Sequence, residues 1–153
     1  MSEPAELYAC LYAKEFPAQA LLRLRPDLHS KPCVVMEGEA PTQHVCSLNT
    51  KARLLGLERG MTRVEVDTFP EPVVLARSVQ SEAATKAVLL ECAGAFSPRV
   101  EDRTESDAFL CGIDVAGTRS LFGAPEMLAR SLRQRVSALG ISASVTVSGN
   151  KVP

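Results

Sequence analysis

The sequence has little excess charge of either sign, no long apolar run and no leader-like amino terminus. Its 17 Lys and Arg residues balance 18 Asp and Glu residues, and the net charge of −1 gives no overall basic field that would attract nucleic acid. No apolar run approaches the ~20 residues that a membrane helix needs. The first residues also lack the basic and apolar regions of a signal peptide. We therefore expect a soluble, cytoplasmic protein that does not contact a membrane.

Motifs for metals, disulfides and phosphate loops are missing as well. The five cysteines show no C-x-x-C spacing and four of them sit in or beside apolar runs, which is typical of buried thiols in a reducing compartment. His29 and His44 have no partner at metal-site or triad spacing. Gly38 stands alone between two glutamates, which would repel a phosphate. These absences disfavour a zinc protein, a disulfide scaffold and a hydrolase.

What is present is an alternation of short apolar strands and amphipathic helices. A length of 153 residues is enough for one domain with a substantial core. The apolar pattern predicts strands at 7–13, 34–36, 45–47, 73–76, 99–102, 107–111 and 141–148. It predicts helices at 17–24, at 50–55 before Gly56, after a cap at Ser78 or Ser81, and from Pro125 to Gly140.

The two longer helices each predict a buried stripe. For the first helix the expected stripe is Ala84, Ala87, Val88, Cys92 and Ala95; for the second it is Leu128, Leu132, Val136 and Leu139. Without the middle of the chain, the order of elements is close to βαββαβ, with two helices on one face of the sheet. The fold class predicted from the pattern is α+β, ferredoxin-like, with an inserted lobe.

Two segments carry a resemblance to a known family. The first strand, Leu7-Tyr8-Ala9-Cys10-Leu11-Tyr12-Ala13, and the segment Val100 to Leu110 together resemble the palm of a Y-family (UmuC-like) DNA polymerase. The resemblance runs from about Leu7 to Val152. It implies a palm-like domain over residues 1–31 and 73–153, and a fingers-like insertion over residues 32–72.

The resemblance also implies roles for individual residues. Phe16 lies where the family has its steric gate, and Arg53 and Lys151 match cations that reach the incoming triphosphate. Thr50 stands at a triphosphate-binding tyrosine, and Phe109 replaces another tyrosine. A plainer interpretation stays open for each: core packing for Phe16, and a solvated surface charge for Arg53 and Lys151. If the match holds, we expect residual triphosphate binding in the millimolar range, insensitive to EDTA.

The catalytic carboxylates of the family are mostly missing. The matching positions are Leu11, Ser106 and Asp107, so only the last keeps an acid. Nucleotidyl transfer in this fold needs two Mg²⁺ ions held by carboxylates, and neither leucine nor a neutral hydroxyl supplies one. Glu105 would lie two residues from Asp107 on the same strand face and could help one ion. Glu101, Asp102, Glu105 and Asp107 are otherwise read as a solvated acidic loop, and no metal or other cofactor is expected.

This pattern resembles the ImuB-type branch, whose members look like Y-family polymerases without the acidic triad. The resemblance implies a non-catalytic adaptor in DNA repair and damage-induced mutagenesis. Its implied partners are the sliding clamp, an ImuA-type protein and a replicative-type polymerase, with weak DNA binding by this piece. Two alternatives stay open: a metal-dependent DNA polymerase with a non-standard Mg²⁺ site, and a fragment without activity, since the family continues into thumb and little-finger domains.

Overall fold

The computed structural model describes residues 7–105, 107–116 and 123–148, and it is an α+β protein. The strands are β1 (Tyr8–Ala13), β2 (Cys33–Glu37), β3 (His44–Leu48), β4 (Val73–Ala76), β5 (Val100–Asp102), β6 (Phe109–Asp114) and β7 (Ser144–Ser148). The helices are α1 (Phe16–Leu22), α2 (Thr50–Leu55), α3 (Arg63–Val66), α4 (Val79–Gly94) and α5 (Pro125–Ala138), with a 3₁₀ turn at Pro26–Leu28. The chain divides into two compact units, residues 1–14 with 84–153 and residues 15–83.

The first unit contains a four-stranded antiparallel sheet in the order β5-β6-β1-β7. In the order along the chain, its strands are numbers 2, 3, 1 and 4 across the sheet, which is the ferredoxin-like arrangement predicted from the pattern. The buried stripe of α5 is Leu128, Leu132 and Val136, and this helix packs beside β7. The predicted stripe of this helix is thus confirmed except for Leu139, which is half-buried.

Helix α4 buries a different face from the predicted one. The buried positions are Thr85, Leu89 and Ala93, whereas Ala84, Ala87 and Ala95 are exposed. The apolar pattern predicted the wrong face because it counted alanines as buried residues. An alanine side chain has little apolar area, so its exposure to water costs little free energy. Ser78 accepts a hydrogen bond from the Ser81 N–H at 3.0 Å and so caps this helix.

The second unit contains a three-stranded sheet in the order β3-β2-β4, in which β2 and β4 are parallel. Helix α1 packs against β2 and β3. Two apolar clusters form the core. One joins α1 to the sheet through Ala18, Leu22, Val35 and Cys46 with their neighbours, and the other includes Val34, Met36, Leu48, Ala52 and Leu57.

Two elements that we expected in the palm-like domain belong to this second unit. Strand β4 was placed with residues 73–153, but it pairs with β2 in the three-stranded sheet. Helix α1 was placed with residues 1–31, but it packs on the same sheet. The pattern could not show this, because apolar periodicity identifies a strand without naming its partner. Residues 32–72, the predicted insertion, all lie within the second unit.

Candidate functional site

Strand β1 presents two faces with opposite environments. Its alternate residues Ala9, Leu11 and Ala13 are fully buried, whereas Tyr8 and Cys10 are partly exposed and Tyr12 is 41% exposed. Residues directly opposite each other in neighbouring strands share a face. Tyr12 is opposite Leu110 and Ser144, and Leu11 is opposite Cys111 and Val145. We call the side of the sheet that carries Tyr8, Cys10 and Tyr12 the open face.

Helix α4 lies over the other face. Asp102 of β5 is opposite Cys111 and therefore shares the face of Leu11. Lys86 of α4 reaches Asp102 at 3.0 Å, which places this helix over that face. A hydrogen bond from Thr104 lowers the pKa of Asp102, and Lys86 lowers it further. Burial raises the pKa of the neighbouring Cys111 thiol to about 12, so this thiol stays neutral.

The placement of Leu11 corrects its expected role. As a residue matched to a metal-binding aspartate, Leu11 would have to face the substrate side of the sheet. It is instead a core residue with no exposed surface. The residue of β1 that can reach a ligand at the same end of the strand is Tyr12, because successive strand residues point to opposite faces. The open face of β1 therefore offers two phenols and a thiol, and no carboxylate.

The acidic segment also differs from the expected geometry. Strand β6 begins at Phe109, and the Ala108 N–H donates to the Glu105 carbonyl at 3.0 Å, as in a tight turn. The expectation that Glu105 and Asp107 share one strand face is therefore wrong, because strand alternation does not apply within a turn. Asp107 is half-buried and Glu105 is exposed. Ser106, matched to the second carboxylate, lies outside the described residues.

Glu101 and Asp102 form strand β5 with Val100, which confirms the strand predicted at 99–102 and corrects the expectation of an acidic loop. Glu101 accepts a hydrogen bond from Arg103 at 2.9 Å, and Asp102 pairs with Lys86. Both acids therefore have structural partners of opposite charge. Within residues 7–105, 107–116 and 123–148, no group of three His, Cys, Asp or Glu side chains is placed to hold a metal ion.

The Mg²⁺ that the family implies does not fit the donors on β1. Mg²⁺ needs hard oxygen ligands in near-octahedral geometry, normally including carboxylates. Neutral phenols are poor ligands for it, and a thiol suits softer metals. Asp107 is the one matched carboxylate in the chain, and β1 has no second carboxylate to face it.

In the second unit, α2 positions the expected phosphate-binding arginine. Asn49 caps this helix by accepting from the Ala52 N–H at 2.9 Å. The same side chain accepts from the Cys33 N–H at 3.0 Å, which joins the start of α2 to β2. Gly56 ends the helix with φ of 105°, a conformation that favours glycine. Arg53 is thus held on a short, well-anchored helix, and its side chain is 58% exposed.

Arg53 is not available as a lone cation, because it pairs with the carboxylate of Glu15. Glu15 lies between β1 and α1 in the left-handed region, with φ of 50°. Its side chain is only 10% exposed. The Oε1 atom accepts from Arg59 at 2.7 Å, the Ser47 hydroxyl at 2.9 Å and the Leu48 N–H at 3.3 Å, while Oε2 accepts from Arg53. We call Glu15, Arg53 and Arg59 the Glu15 cluster.

Glu15 and Arg59 are two residues of the candidate site that could not be identified from the sequence. Arg53 is 38 positions from Glu15 and Arg59 is 44 positions away, so no local spacing links them. One sign in the sequence is a carboxylate between the apolar strand and the Phe16-Pro17 helix start. Ser47, a polar residue in an otherwise buried strand, is the second such sign, and it is fully buried.

The other expected site residues differ in how deeply they are buried. Phe16, at the expected steric gate, is 3% exposed and therefore belongs to the core of the second unit. Thr50 is exposed as the first residue of α2. Phe109 is fully buried in β6. Lys151 lies outside the described residues.

A pocket of about 210 Å³ opens at the other end of the open face, beside Tyr8, Gly112 and Asp114. Arg103 lies over Gly112, where a Cβ would meet its Cζ at 3.4 Å. The charges here are already paired: Arg103 contacts Glu101 at 2.9 Å, and Arg99 lies 3.7 Å from Asp114. The pocket is therefore a poor receptor for a charged ligand.

The described part of the chain contains no helix that is long and apolar enough to cross a membrane. Its five cysteines are free thiols, of which Cys33, Cys46 and Cys111 are buried. The prediction of buried thiols is confirmed for these three residues, whereas Cys10 and Cys92 are partly exposed.

Curated proteins similar to this chain in sequence are named DNA polymerase IV. The chain is 31% identical over 140 residues to DNA polymerase IV of Desulfatibacillum aliphaticivorans, covering 90% of this chain and 34% of that protein. It is 32% identical over 147 residues to DNA polymerase IV of Moorella thermoacetica, covering 92% of this chain and 35% of the relative. The chain thus spans about a third of the length of these curated relatives.

Solved structures confirm the predicted ferredoxin-like palm. The crystal structure of DinB from Sulfolobus solfataricus matches with a TM-score of 0.79 at 22% identity, over 95% of this chain and 43% of the other. A post-insertion binary complex of Dbh DNA polymerase matches with a TM-score of 0.81, also at 22% identity and with the same coverage. The model of the impB/mucB/samB family matches residues 11–153. This chain belongs to the impB/mucB/samB family, the UmuC-like domain of Y-family DNA polymerases.

Proposed function

We propose that this chain is the palm and fingers part of a non-catalytic, Y-family polymerase-like protein that acts in DNA repair and translesion mutagenesis. The palm would be the four-stranded sheet with α4 and α5, and the fingers would lie within the second unit, around residues 32–72. The observation that carries the proposal is the open face of β1, which presents Tyr8, Cys10 and Tyr12 where a metal-dependent polymerase needs an acid.

The proposed role is that of an adaptor of the ImuB type. A polymerase fold that has lost its metal ligands keeps the shape that its partners recognise, while the chemistry is left to a separate enzyme. The proposed partners are the sliding clamp, an ImuA-type protein and a replicative-type polymerase, and the proposed location is the cytoplasm. No metal cofactor is required for this role.

Primer extension tests the loss of catalysis. The purified chain is incubated with a primed template, deoxynucleoside triphosphates and either Mg²⁺ or Mn²⁺. We expect no product above the level of a protein-free control, because Asp107 alone cannot anchor two ions. Extension that is abolished by Asp107→Ala would overturn the proposal.

The adaptor role needs a separate test. The chain is mixed in turn with the purified sliding clamp, the ImuA-type protein and the replicative-type polymerase, and each mixture is separated by gel filtration. Co-elution with at least one of them is expected. If the chain elutes alone in all three mixtures, this part of the protein does not carry the adaptor function.

The alternative is a metal-dependent DNA polymerase with a non-standard Mg²⁺ site. It is favoured by the relatives, since the proteins 31% and 32% identical to this chain are named DNA polymerase IV. This alternative requires Asp107 and Ser106 to hold the metal with a ligand from outside β1. The same primer-extension assay separates the two functions.

A further inference from the structure

We propose that Glu15 is a built-in anion that occupies the arginine site of the second unit and keeps a triphosphate out of it. This inference deepens the proposed function and rests on it, because the resemblance implies that Arg53 matches an arginine that contacts the incoming triphosphate.

The donors around Glu15 are those that a phosphate would use. Arg53 and Arg59 each direct a guanidinium N–H to a different carboxylate oxygen of Glu15. Guanidinium groups bind carboxylates and phosphates through the same planar array of donors. A phosphate at this position would therefore compete with Glu15 for the same N–H groups.

Glu15 holds this position more firmly than a surface ion pair would. The carboxylate is nearly buried, and it also accepts from the Ser47 hydroxyl at 2.9 Å and from the Leu48 N–H at 3.3 Å. The Ser47 oxygen in turn accepts from the Ala18 N–H at 3.2 Å, which ties the cluster to α1. Both arginines stay about half exposed, at 58% and 45%. Solvent reaches the cations, but the anion beside them is fixed.

The backbone of Glu15 adopts a conformation that is unfavourable in free energy. A glutamate with φ of 50° occupies the left-handed region, which disfavours side chains with a Cβ. Such conformations persist where surrounding contacts hold them in place. Here the four hydrogen-bond donors to the carboxylate are those contacts.

A tethered anion lowers the apparent affinity for a free one. A triphosphate could use the arginines only in the fraction of molecules in which Glu15 has left them, and its apparent affinity falls by that fraction. The matched fingers arginine, Arg53, is therefore present in the sequence but is not a free receptor for phosphate. This replaces the expectation of millimolar triphosphate binding at Arg53 with a weaker one.

The test measures binding of inorganic triphosphate, in EDTA, through the Nε–H resonances of the arginines in NMR spectra. In the unmodified chain, the Arg53 and Arg59 resonances should not move with millimolar triphosphate. Glu15→Gln removes the negative charge and keeps the length of the side chain. It should tighten triphosphate binding by about tenfold or more. Adding Arg53→Gln to this variant should remove the gain.

Two matched variants separate charge from structure. Glu15→Asp keeps the charge and should bind triphosphate no better than the unmodified chain. Asp27→Asn breaks another arginine-carboxylate pair of the same unit, the exposed pair of Arg25 and Asp27 at 3.1 Å, and should leave affinity unchanged. If Glu15→Gln only lowers stability and gains no affinity, Glu15 is a structural residue and the proposal is wrong.

The unmodified chain gives a result that does not depend on the folding of any variant. Shifts at Arg53 and Arg59 with millimolar triphosphate would show that Glu15 does not exclude it, and would overturn the inference. That outcome is separate from primer extension, since a non-catalytic chain could still bind triphosphate. Conversely, primer extension without any change in these resonances would overturn the proposed function, because catalysis would then occur without triphosphate binding at the Glu15 cluster.

Discussion

At the scale of single residues, the alternation of β1 decides what each position can do. Leu11 and Tyr12 are neighbours in sequence, but one is fully buried and the other is 41% exposed. The resemblance alone matched Leu11 to a metal-binding aspartate, and the burial of Leu11 argues against a ligand at that position. Adjacent residues of a strand point to opposite faces of the sheet. A residue matched by sequence can therefore serve a site only if its side chain points to the face that carries that site.

Aspartate substitutions at these two positions should differ in cost. Leu11→Asp places a carboxylate among apolar side chains, which we expect to lower the free energy of unfolding by on the order of 4 kcal/mol. Tyr12→Asp, on the open face, should cost about 1 kcal/mol. Urea denaturation of both variants measures the difference. Equal losses would contradict the assignment of the two faces.

The Glu15 cluster shows the limit of sequence reasoning at the same scale. Arg53 was identified from the sequence because its helix resembles a known segment, and the structure places it on that helix. Its partner could not be found in the same way, because long-range pairs leave no periodicity in the chain. The role of a charged residue depends on the neighbour that three-dimensional folding brings to it.

At the scale of elements, most helices and strands could be predicted, and their partners could not. Helix α2 and strand β4 have the predicted bounds, because Gly56 and the Pro70–Pro72 turn mark their limits clearly. The short helix α3 was missed, although Thr62 and Glu65 form a capping box at its start. The parallel pairing of β4 with β2 depends on contacts distant in sequence.

The contact between α4 and β5 is expected to depend on pH. The pKa of Asp102 is lowered, first by Thr104 and then by Lys86, so its ionised form stabilises the fold. That stability is present above the unfolded pKa of about 3.9 and is lost as pH falls through the lower folded value. Asp102→Asn should therefore cost about 0.5 kcal/mol at pH 7 and almost nothing at pH 2.

Thermal unfolding of Asp102→Asn across this pH range measures the effect, and Lys86→Gln is the matched variant because the two side chains are 3.0 Å apart. A double variant should cost less than the sum of the two single ones. A loss that is independent of pH would mean that Asp102 acts through packing instead of charge.

The anchoring of α2 gives a second prediction for an element. Asn49 accepts from Ala52 and Cys33 and donates to the Lys31 carbonyl at 2.8 Å, so one side chain joins the helix start to β2 and the preceding loop. Asn49→Ala should lower the free energy of unfolding by about 2 kcal/mol. Asn49→Asp keeps the accepting oxygen and should lose less. Chemical denaturation of both variants distinguishes the capping oxygen from the amide as the main contributor.

At the scale of the whole molecule, the fold class was predictable and the function rests on a few side chains. The ferredoxin-like strand order follows from the succession of elements, and the solved polymerase structures match it over 95% of the chain. A shared fold does not carry shared chemistry, because chemistry depends on the donors at the site. The proposed loss of catalysis depends on the open face of β1, and the proposed exclusion of triphosphate depends on the Glu15 cluster.

Weak DNA binding is the prediction that belongs to the molecule as a whole. The chain has a net charge of −1, and the positive side chains identified at the candidate site are paired with acids. Protein-DNA affinity depends largely on cations that neutralise phosphates and release counterions. We therefore expect this chain to bind a labelled primer-template no more tightly than a Kd of about 10⁻⁴ M at physiological salt.

Fluorescence anisotropy at several salt concentrations measures this affinity. Weak binding with a shallow salt dependence is expected, because Arg53, Arg59 and Arg103 at the candidate site are already paired with acids. Glu15→Gln provides the internal control, because it frees Arg53 and Arg59. The salt dependence of the Kd should then increase by the amount expected for about one to two additional phosphate contacts. Submicromolar binding by the unmodified chain would contradict the prediction, and would show that the chain holds DNA through a surface other than the arginines that Glu15 occupies.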